Sequence, residues 1–369
     1  MKSGRIKRID IYKFDIPLKA PFKIATMMTT VAKNVLFRVE TEDGIIGWGE
    51  SSPLHTINGE TQGTVIAAGQ EFARFALGRE VSEIRTMVDE WEYLIPLQGC
   101  AASGLEMAIL DAAAQEVEMP LWKYLGGTQR EFATDCTIPI VGPDEAAKQA
   151  KEILKDGHKS IKVKLGNGIN DDVERVDAVR EAVGDRATIR VDANQGYLRD
   201  DAIKMLDAIA EFDVEFCEQP VAKRDKDGLY AVTAASTIPI MADESIFSPA
   251  DAMMLIENES CSSFNIKLSK SRGIIRGLEI AAIARTACIP CMVGGMVESL
   301  IGVTAACHMA AASPVFRWFD LDSNLSHAEN PVIGGANLKR GTRILPTLPG
   351  LGAVPDNGFL KTMEVISLE

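Results

Sequence analysis

Three acidic residues recur at near-equal steps through the middle of the chain, and this spacing constrains the fold more than any bulk property. Asp192 ends Thr188-Ile189-Arg190-Val191-Asp192, Glu218 ends Val214-Glu215-Phe216-Cys217-Glu218, and Asp243 ends Ile238-Pro239-Ile240-Met241-Ala242-Asp243. Each run is short and rich in β-branched or apolar residues, and an amphipathic stretch precedes the next. The steps (192 to 218, 218 to 243) are each about one βα unit of a barrel in which roughly 250 residues divide into eight. Residues at the carboxyl ends of successive parallel strands converge on one mouth. Three carboxylates held there repel one another unless a cation sits among them. A hard divalent cation with oxygen ligands, Mg²⁺ in particular, suits the set.

The rest of the pattern extends that reading. From Cys136 strand-like and helical stretches alternate, with strands predicted at 136–141, 160–165, 188–193, 214–219, 238–243, 263–268, 290–294 and 316–321. Helical periodicity fills the gaps, as in Asp144 to Lys155, Asp171 to Val183, Ala202 to Phe212 and Ile274 to Ala287. Eight strands and seven helices make an α/β protein with a (β/α)₇β barrel, a modified TIM barrel. The first third differs. Strand-like Arg5 to Leu18 and Asn34 to Glu40 precede Asp43-Gly44, a hairpin signal, and then Ile45 to Glu50. Helical periodicity follows from about Thr61 to Leu125, broken near Gly78 and Pro96. Strands first and helices afterwards indicate a separate α+β domain. From about Ala328 the chain is rich in Pro and Gly and ends in strand-like Thr362 to Leu368, expected to pack back on the first domain. The expected division is an α+β domain over 1–127, the barrel over 128–325, and a C-terminal segment over 326–369.

Charge and cysteine content narrow the class. A net charge of −13 without a Lys/Arg cluster argues against nucleic acid or anionic membrane as partner. No apolar stretch is long enough to span a bilayer. The basic N-terminus runs straight into alternating Ile6 to Tyr12, unlike a signal peptide. Seven cysteines at irregular spacing read as reduced thiols, which predicts a cytoplasmic protein. Cys288-Ile289-Pro290-Cys291 reads as a helix-to-strand join rather than a redox motif, and no second CxxC or histidine cluster supports a metal there.

Other charged residues fall on the predicted barrel mouth. Lys162 and Lys164 alternate on the second strand and so share a side. Buried ammonium groups are costly, so a barrel that keeps two has a use for them. Apolar surroundings and a nearby cation would lower a lysine's pKa and make it a general base. Lys267 ends the sixth strand, nearly opposite the second, so Lys164 and Lys267 are expected to face one another across the carboxylates. Two bases on opposite faces of one carbon invert its stereochemistry. Lys270 and Arg272 read as surface charges or loop anchors. Asp320 and Asp322 close the eighth strand as a same-face pair, where a substrate ammonium suits them better than a second metal; an N-cap and loop pair is the plain alternative. Gly294-Gly295-Met296 offers backbone N–H groups to an anionic ligand or makes a tight turn, and Glu298 opens the following helix. Glu244 should point away from Asp243 and is the weaker ligand.

The ordered set Lys162-Val163-Lys164, Asp192, Glu218-Gln219-Pro220, Asp243-Glu244-Ser245 and Lys267 resembles the enolase superfamily, in its muconate-lactonizing-enzyme subgroup. Pro21-Phe22-Lys23 and Gly47-Trp48-Gly49-Glu50 extend the similarity through the first domain, which the resemblance makes a capping domain. This superfamily uses a Lys or His base with Mg²⁺ stabilising an ene-diolate. Asp320-Leu321-Asp322 looks like the strand-eight signature of its dipeptide epimerases. The resemblance therefore implies one Mg²⁺ per subunit on Asp192, Glu218 and Asp243, holding the carboxylate of the residue to be epimerised. It implies Lys162 as a stabiliser of the enediolate, Lys164 and Lys267 as the two bases, and Asp320 and Asp322 as holders of a dipeptide's ammonium. Gly295, Met296 and Glu298 join them as substrate-binding candidates. His55, His158, His308 and His327 all fall outside the ladder, unlike relatives of the mandelate-racemase type. Epimerases acting on Ala-Glu carry an arginine in the first capping loop, where this chain has Met27, which implies a small or apolar epimerised residue, with Ala before it. Loops near Ile24 to Thr30 and Ser51 to Gly59 are expected to close over the mouth. The alternatives on the same scaffold are an N-acylamino acid racemase, an o-succinylbenzoate synthase or a muconate-type cycloisomerase; a non-catalytic ligand-binding barrel is a further one. The substrate partner is then a small molecule, and a homo-oligomer is compatible with this reading.

Overall fold

The computed structural model describes residues 4–369. A long hairpin of β1 (Ile6–Ile24) and β2 (Met27–Thr41) opens the chain, and β3 (Ile46–Ser51) follows the Asp43-Gly44 turn. Helices α1 (Gln62–Ala76), α2 (Ile84–Leu94) and α3 (Gly99–Glu116) come next. Alanine-rich α3 is a strong helix former, and it is buried on every face through Ala114, packed against β2 and β3 on one side and reaching α10 on the other. It lies very close to β3. A Cβ on Gly47 would overlap the Ala108 carbonyl, and one on Gly49 the Gly104 carbonyl. The Gly-Trp-Gly spacing is therefore a packing requirement of this strand.

After α4 (Leu121–Tyr124) and β4 (Glu131–Ala133) the chain enters the barrel. Among the described residues, eight parallel strands alternate with seven helices: β5 (Cys136–Ile138), α5 (Pro143–Lys155), β6 (Ser160–Lys164), α6 (Ile169–Val183), β7 (Thr188–Asp192), α7 (Arg199–Ile209), β8 (Val214–Glu218), α8 (Lys226–Ala235), β9 (Ile240–Ala242), α9 (Pro249–Glu257), β10 (Ser263–Lys267), α10 (Ile274–Thr286), β11 (Cys291–Gly294), α11 (Leu300–Ala311) and β12 (Phe316–Phe319). Neighbours in sequence are neighbours in the sheet, from β5 through β12. The two ends meet where Asp135 N–H donates to the Phe319 carbonyl at 3.0 Å. The tail adds β13 (Val332–Gly334), β14 (Asn337–Lys339), β15 (Thr342–Ile344), β16 (Ala353–Pro355), α12 (Asn357–Leu360) and β17 (Val365–Leu368). β17 pairs antiparallel with β1, Leu368 opposite Ile9, as expected of the strand-like end.

The predicted strands match these closely, with corrections at the ends. β9 starts at Ile240 because Pro239 has no N–H for the ladder. β12 stops at Phe319, so Asp320 and Asp322 follow the strand instead of closing it. β1 runs on to Ile24, past Leu18, with its register to β2 broken between Pro17 and Phe22. The expected first loop is thus a two-residue turn, Ala25-Thr26, at a hairpin tip reaching the barrel, where Ile140 N–H donates to the Lys23 carbonyl at 3.1 Å.

One buried carboxylate ties the two parts together. Glu50, at the end of β3, accepts from Ser299 N (2.8 Å), Ser299 Oγ (2.6 Å), Gly302 N (2.9 Å) and Asn34 Nδ2 (2.7 Å). It therefore takes up free N–H groups at the start of α11, while Asn34 also donates to the Val297 carbonyl at 2.9 Å. Deleting this acceptor strands buried donors on both sides. Glu50→Ala is expected to lower unfolding free energy by about 2–4 kcal/mol, and Glu50→Gln by less, both read from urea denaturation. A wild-type midpoint for Glu50→Ala would show the contact to be idle.

Candidate active site

Strand register puts the acids on one level. The Cα of Lys164 lies opposite Asp192, and that of Asp192 opposite Glu218. Asp243 comes one residue after β9. One carboxylate oxygen from each of Asp192, Glu218 and Asp243 lies within 4.8 Å of the others, and all three side chains are buried. Lys162 Nζ sits against this ring, 3.0 Å from Asp192, 2.7 Å from Glu218 and 2.7 Å from Asp320. Lys164 Nζ is 2.6 Å from Asp192 Oδ2, and on the other side Lys267 Nζ is 2.8 Å from Asp243 Oδ2. Asn265, two residues before Lys267 on the same inward face, donates to Glu218 Oε1 at 2.7 Å.

Burial and charge oppose each other throughout the ring. Burial raises the Asp192 carboxyl, yet Lys162 and Lys164 bring it below its ordinary value. Asp243 is likewise raised by burial but held well below by Lys267 and Lys270. Glu218 goes the other way, to about 7, since burial and Asp192 outweigh Lys162. The lysines overturn one expectation. Burial does push Lys267 down, but Asp243 and Glu218 outweigh it and hold its ammonium above the ordinary lysine range. Lys162 is held well above for the same reason, by Asp192, Asp320 and Glu218. For Lys162 and Lys267 the carboxylates, not the apolar walls, decide.

The residues present suit a hard divalent cation. All three candidate ligands are oxygen donors. Glu218 Oε2 and Asp243 Oδ1 are buried with a lysine ammonium near each but without the alignment of a hydrogen bond. Such acceptors are what a cation with oxygen ligands takes up.

Two adjoining cavities flank the ring. One, of about 50 Å³, is lined by both Lys164 and Lys267 and roofed by Phe22, Ile24, Met27, Leu54 and Ile57. Met27 thus reaches the site from the hairpin tip, and no arginine lines this cavity. The second, of about 280 Å³, shares Phe22, Lys164, Gly295 and Met296 with the first and contains Asp320 and Asp322. Asp320 is raised by burial but brought to about 2 by Lys162 and other lysines. Asp322 accepts from Thr137 N at 2.6 Å and has no lysine partner among the described residues; burial and Asp320 raise it.

Several expectations need correction. Met296 N–H is already committed to Glu298 Oε2 at 2.6 Å, so that amide is not free for an anionic ligand. Glu298 precedes the N-cap of α11, Ser299, rather than opening the helix, and burial raises its carboxyl to about 7. Of its two readings Lys270 takes the loop anchor, not the surface charge: it is fully buried and donates to the backbone carbonyls of Asp243, Ile246 (3.3 Å) and Asn265 (3.1 Å). Glu244 lies outside the three-acid group, as the weaker candidate, and is buried, with Asn194 Nδ2 3.3 Å from Oε1; burial with Asp243 raises it to about 8. Asp135, which sequence reading missed, is buried beside Asp320 and Asp322. Only its place just before the first strand hinted at it. Cys288 is exposed and Cys291 buried at the join of α10 and β11, both as free thiols.

This barrel and cap define a capped (β/α)₇β barrel with acids and lysines stepped around one mouth, and comparison gives the family. Residues 145–358 match the enolase C-terminal domain-like family and residues 8–126 the N-terminal domain of mandelate racemase / muconate lactonizing enzyme. The chain belongs to the enolase superfamily. It is 39% identical over 365 residues to the D-Ala-D/L-Ala epimerase of Cytophaga hutchinsonii, spanning 98% of this chain and 99% of that one. To the hydrophobic dipeptide epimerase of Enterococcus faecalis it is 37% identical, over 91% of this chain and 95% of the other. A crystal structure of the Cytophaga hutchinsonii dipeptide epimerase, complexed with Mg and D-Ala-L-Val, superposes with a TM-score of 0.96 at 39% identity, covering 99% of this chain and 100% of that one.

The ring geometry yields a direct test. Asp192→Asn, Glu218→Gln and Asp243→Asn are each expected to abolish Mg²⁺ binding in calorimetric titration, measured on samples whose circular dichroism is native because each variant also leaves a buried lysine short of a carboxylate. Unchanged Mg²⁺ affinity in any one removes that residue from the ligand set.

Proposed function

We propose that this chain is a Mg²⁺-dependent dipeptide epimerase that inverts the α-carbon of the C-terminal residue by a two-base proton transfer. The observation that carries the reading is a single small cavity with a lysine on each side, opening directly into a larger one that holds Asp322. We assign the cap to residues 1–127, completed by 326–369, and the barrel to 128–325. The reading places the enzyme in the cytoplasm, with seven unpaired cysteines in support.

Asp192, Glu218 and Asp243 would hold the metal, which when bound draws charge from the substrate carboxylate and acidifies the α-proton. Lys162, whose ammonium is paired with two of these three acids, would offset the negative charge that develops as the proton leaves. Lys164 takes or gives the proton on one face and Lys267 on the other. Each must shed its proton to act as base, and the carboxylate pairing that now holds Lys267 protonated suits it as the acid of one direction. Asp322, with Asp320 beside it, takes the substrate's ammonium by charge-assisted hydrogen bonds. An N-acyl group would leave Asp322 facing a neutral amide, which weighs against an N-acylamino acid racemase. The apolar roof of Phe22, Ile24, Met27, Leu54 and Ile57 covers the epimerised side chain, and its small volume suits Ala before larger residues.

In D₂O, Lys164→Ala and Lys267→Ala should both lose epimerisation, while each still exchanges the α-proton of one stereoisomer, the opposite one in the two variants. Parental epimerisation by either variant would exclude that lysine as a base. The cavity also sets a substrate order: kcat/KM for Ala-Ala should exceed that for Ala-Glu by at least about 100-fold, because a buried glutamate side chain would lack a partner at a cost of several kcal/mol. A preference for Ala-Glu would reject the roof as the selecting surface.

A further inference from the structure

The third acid of the ring is held differently from the other two. Asp192 and Glu218 end β7 and β8 and sit inside the parallel ladder, Asp192 opposite Glu218 and Glu218 opposite Met241. β9 stops at Ala242, so Asp243 stands beyond it and pairs with neither neighbouring strand. Its N–H donates instead to a side chain, Gln219 Oε1, at 3.0 Å. The same oxygen accepts from Ser245 N at 3.1 Å, while Gln219 Nε2 donates to the Val221 carbonyl at 2.9 Å and to Ser245 Oγ at 2.8 Å. Both ends of the amide are therefore engaged, and the side chain is fully buried. Gln219 also has φ +36°, in the left-handed region that a residue with a side chain rarely adopts. Its N–H donates to the Met241 carbonyl at 2.9 Å and its carbonyl accepts from Gln195 N at 2.9 Å, so the strained residue is pinned on both flanks. Strain of this kind persists where the surroundings over-determine it, and it clusters around ligand sites.

We propose that Gln219 is a positioning residue for the metal: it sets the place of Asp243 relative to Glu218, and with it the spacing of the oxygen ligands. The inference rests on the reading of Asp192, Glu218 and Asp243 as the metal's ligands. Gln219 directly follows Glu218, so one residue ties the strand of the second acid to the backbone of the third. It lines neither of the two cavities and acts through Asp243. The neighbouring lysines are poor substitutes for this contact. Lys267 and Lys270 meet Asp243 through flexible four-carbon stems, which can follow a displaced carboxylate. The buried amide, bonded at both ends, cannot. Mg²⁺ demands near-ideal octahedral geometry at short ligand distances, whereas Ca²⁺ accepts longer and more varied ones. A loosened Asp243 therefore costs Mg²⁺ more than Ca²⁺.

The test titrates the chelated enzyme by calorimetry with Mg²⁺ and, separately, with Ca²⁺, in the absence of substrate. Gln219→Leu keeps most of the volume and removes the acceptor for the Asp243 N–H. Its Mg²⁺ dissociation constant is expected to rise about 10- to 100-fold, as when a ligand loses its outer partner. That for Ca²⁺ should rise by no more than about threefold. Gln219→Asn tolerates a positive φ and keeps an amide, but is one methylene too short to reach the Asp243 N–H. It should give the same split and serves if the Leu variant folds poorly. Unchanged Mg²⁺ affinity in a folded variant overturns the proposal. So does an equal loss for both ions, which would mark Gln219 as a support of the loop and not of the ligand spacing. A parent enzyme that binds no Mg²⁺ would instead sink the metal reading, a result visible before any variant is made.

Discussion

The Lys162 ammonium, buried within 3.0 Å of Asp192, Glu218 and Asp320, is the contact around which the interior charges arrange themselves. An isolated buried charge costs several kcal/mol, and around the barrel mouth that cost is avoided by sharing partners among the buried charges. Lys162 joins the ring of Asp192, Glu218 and Asp243 to the pair at Asp320 and Asp322. Lys267 and Lys270 share Asp243, and Arg190 is divided between Asp135 and Glu215. The result is a polar floor with spare acceptors, Glu218 Oε2 and Asp243 Oδ1, at the place where the metal is proposed to bind.

A floor of that kind works only under a dry roof, since electrostatic effects weaken as water enters. The cap supplies it through three contacts of different character. Glu50 and Asn34 lock β2 and β3 to the start of α11, next to Gly295 and Met296. Glu106 of α3 accepts from Ile274 N and Ile275 N at 2.6 and 2.8 Å, fixing the start of α10 just after Lys267 and Lys270. The β1–β2 tip lays Phe22, Ile24 and Met27 over the lysines. The helix starts that follow β10 and β11 are thus anchored on the cap, so the height of the roof and the position of the floor are set together.

Much of the barrel was legible in the sequence because its signals are local. A short apolar run followed by one charged residue, repeated at a βα period, needs no knowledge of distant chain to be read, and inward alternation placed Lys162 and Lys164 on one side correctly. The same alternation, carried two residues back from Lys267, would have found Asn265. The Gly-Trp-Gly-Glu run was visible as part of the cap, but its reason, the close approach of α3, was not.

The sequence by itself determined the eight strands, the strand-end level of the acids and lysines, and the separation of an α+β cap from an α/β barrel, because periodicity and step length are properties of neighbouring residues. Only the tertiary structure decided which loop charges are buried. Lys270 follows a strand and looks like a surface charge, yet it is buried on the carbonyls of neighbouring barrel loops, and Glu244 is buried beside Asn194. Asp135 becomes part of the site through the seam between the first and last strands, 184 positions from Phe319 in the chain. The direction of the Lys267 shift was also hidden, since it depends on the distances to Asp243 and Glu218 and not on the apolar residues beside it in sequence. Burial and Coulomb energy are set by what the chain brings close in space, and a linear pattern carries that information only where contact is local.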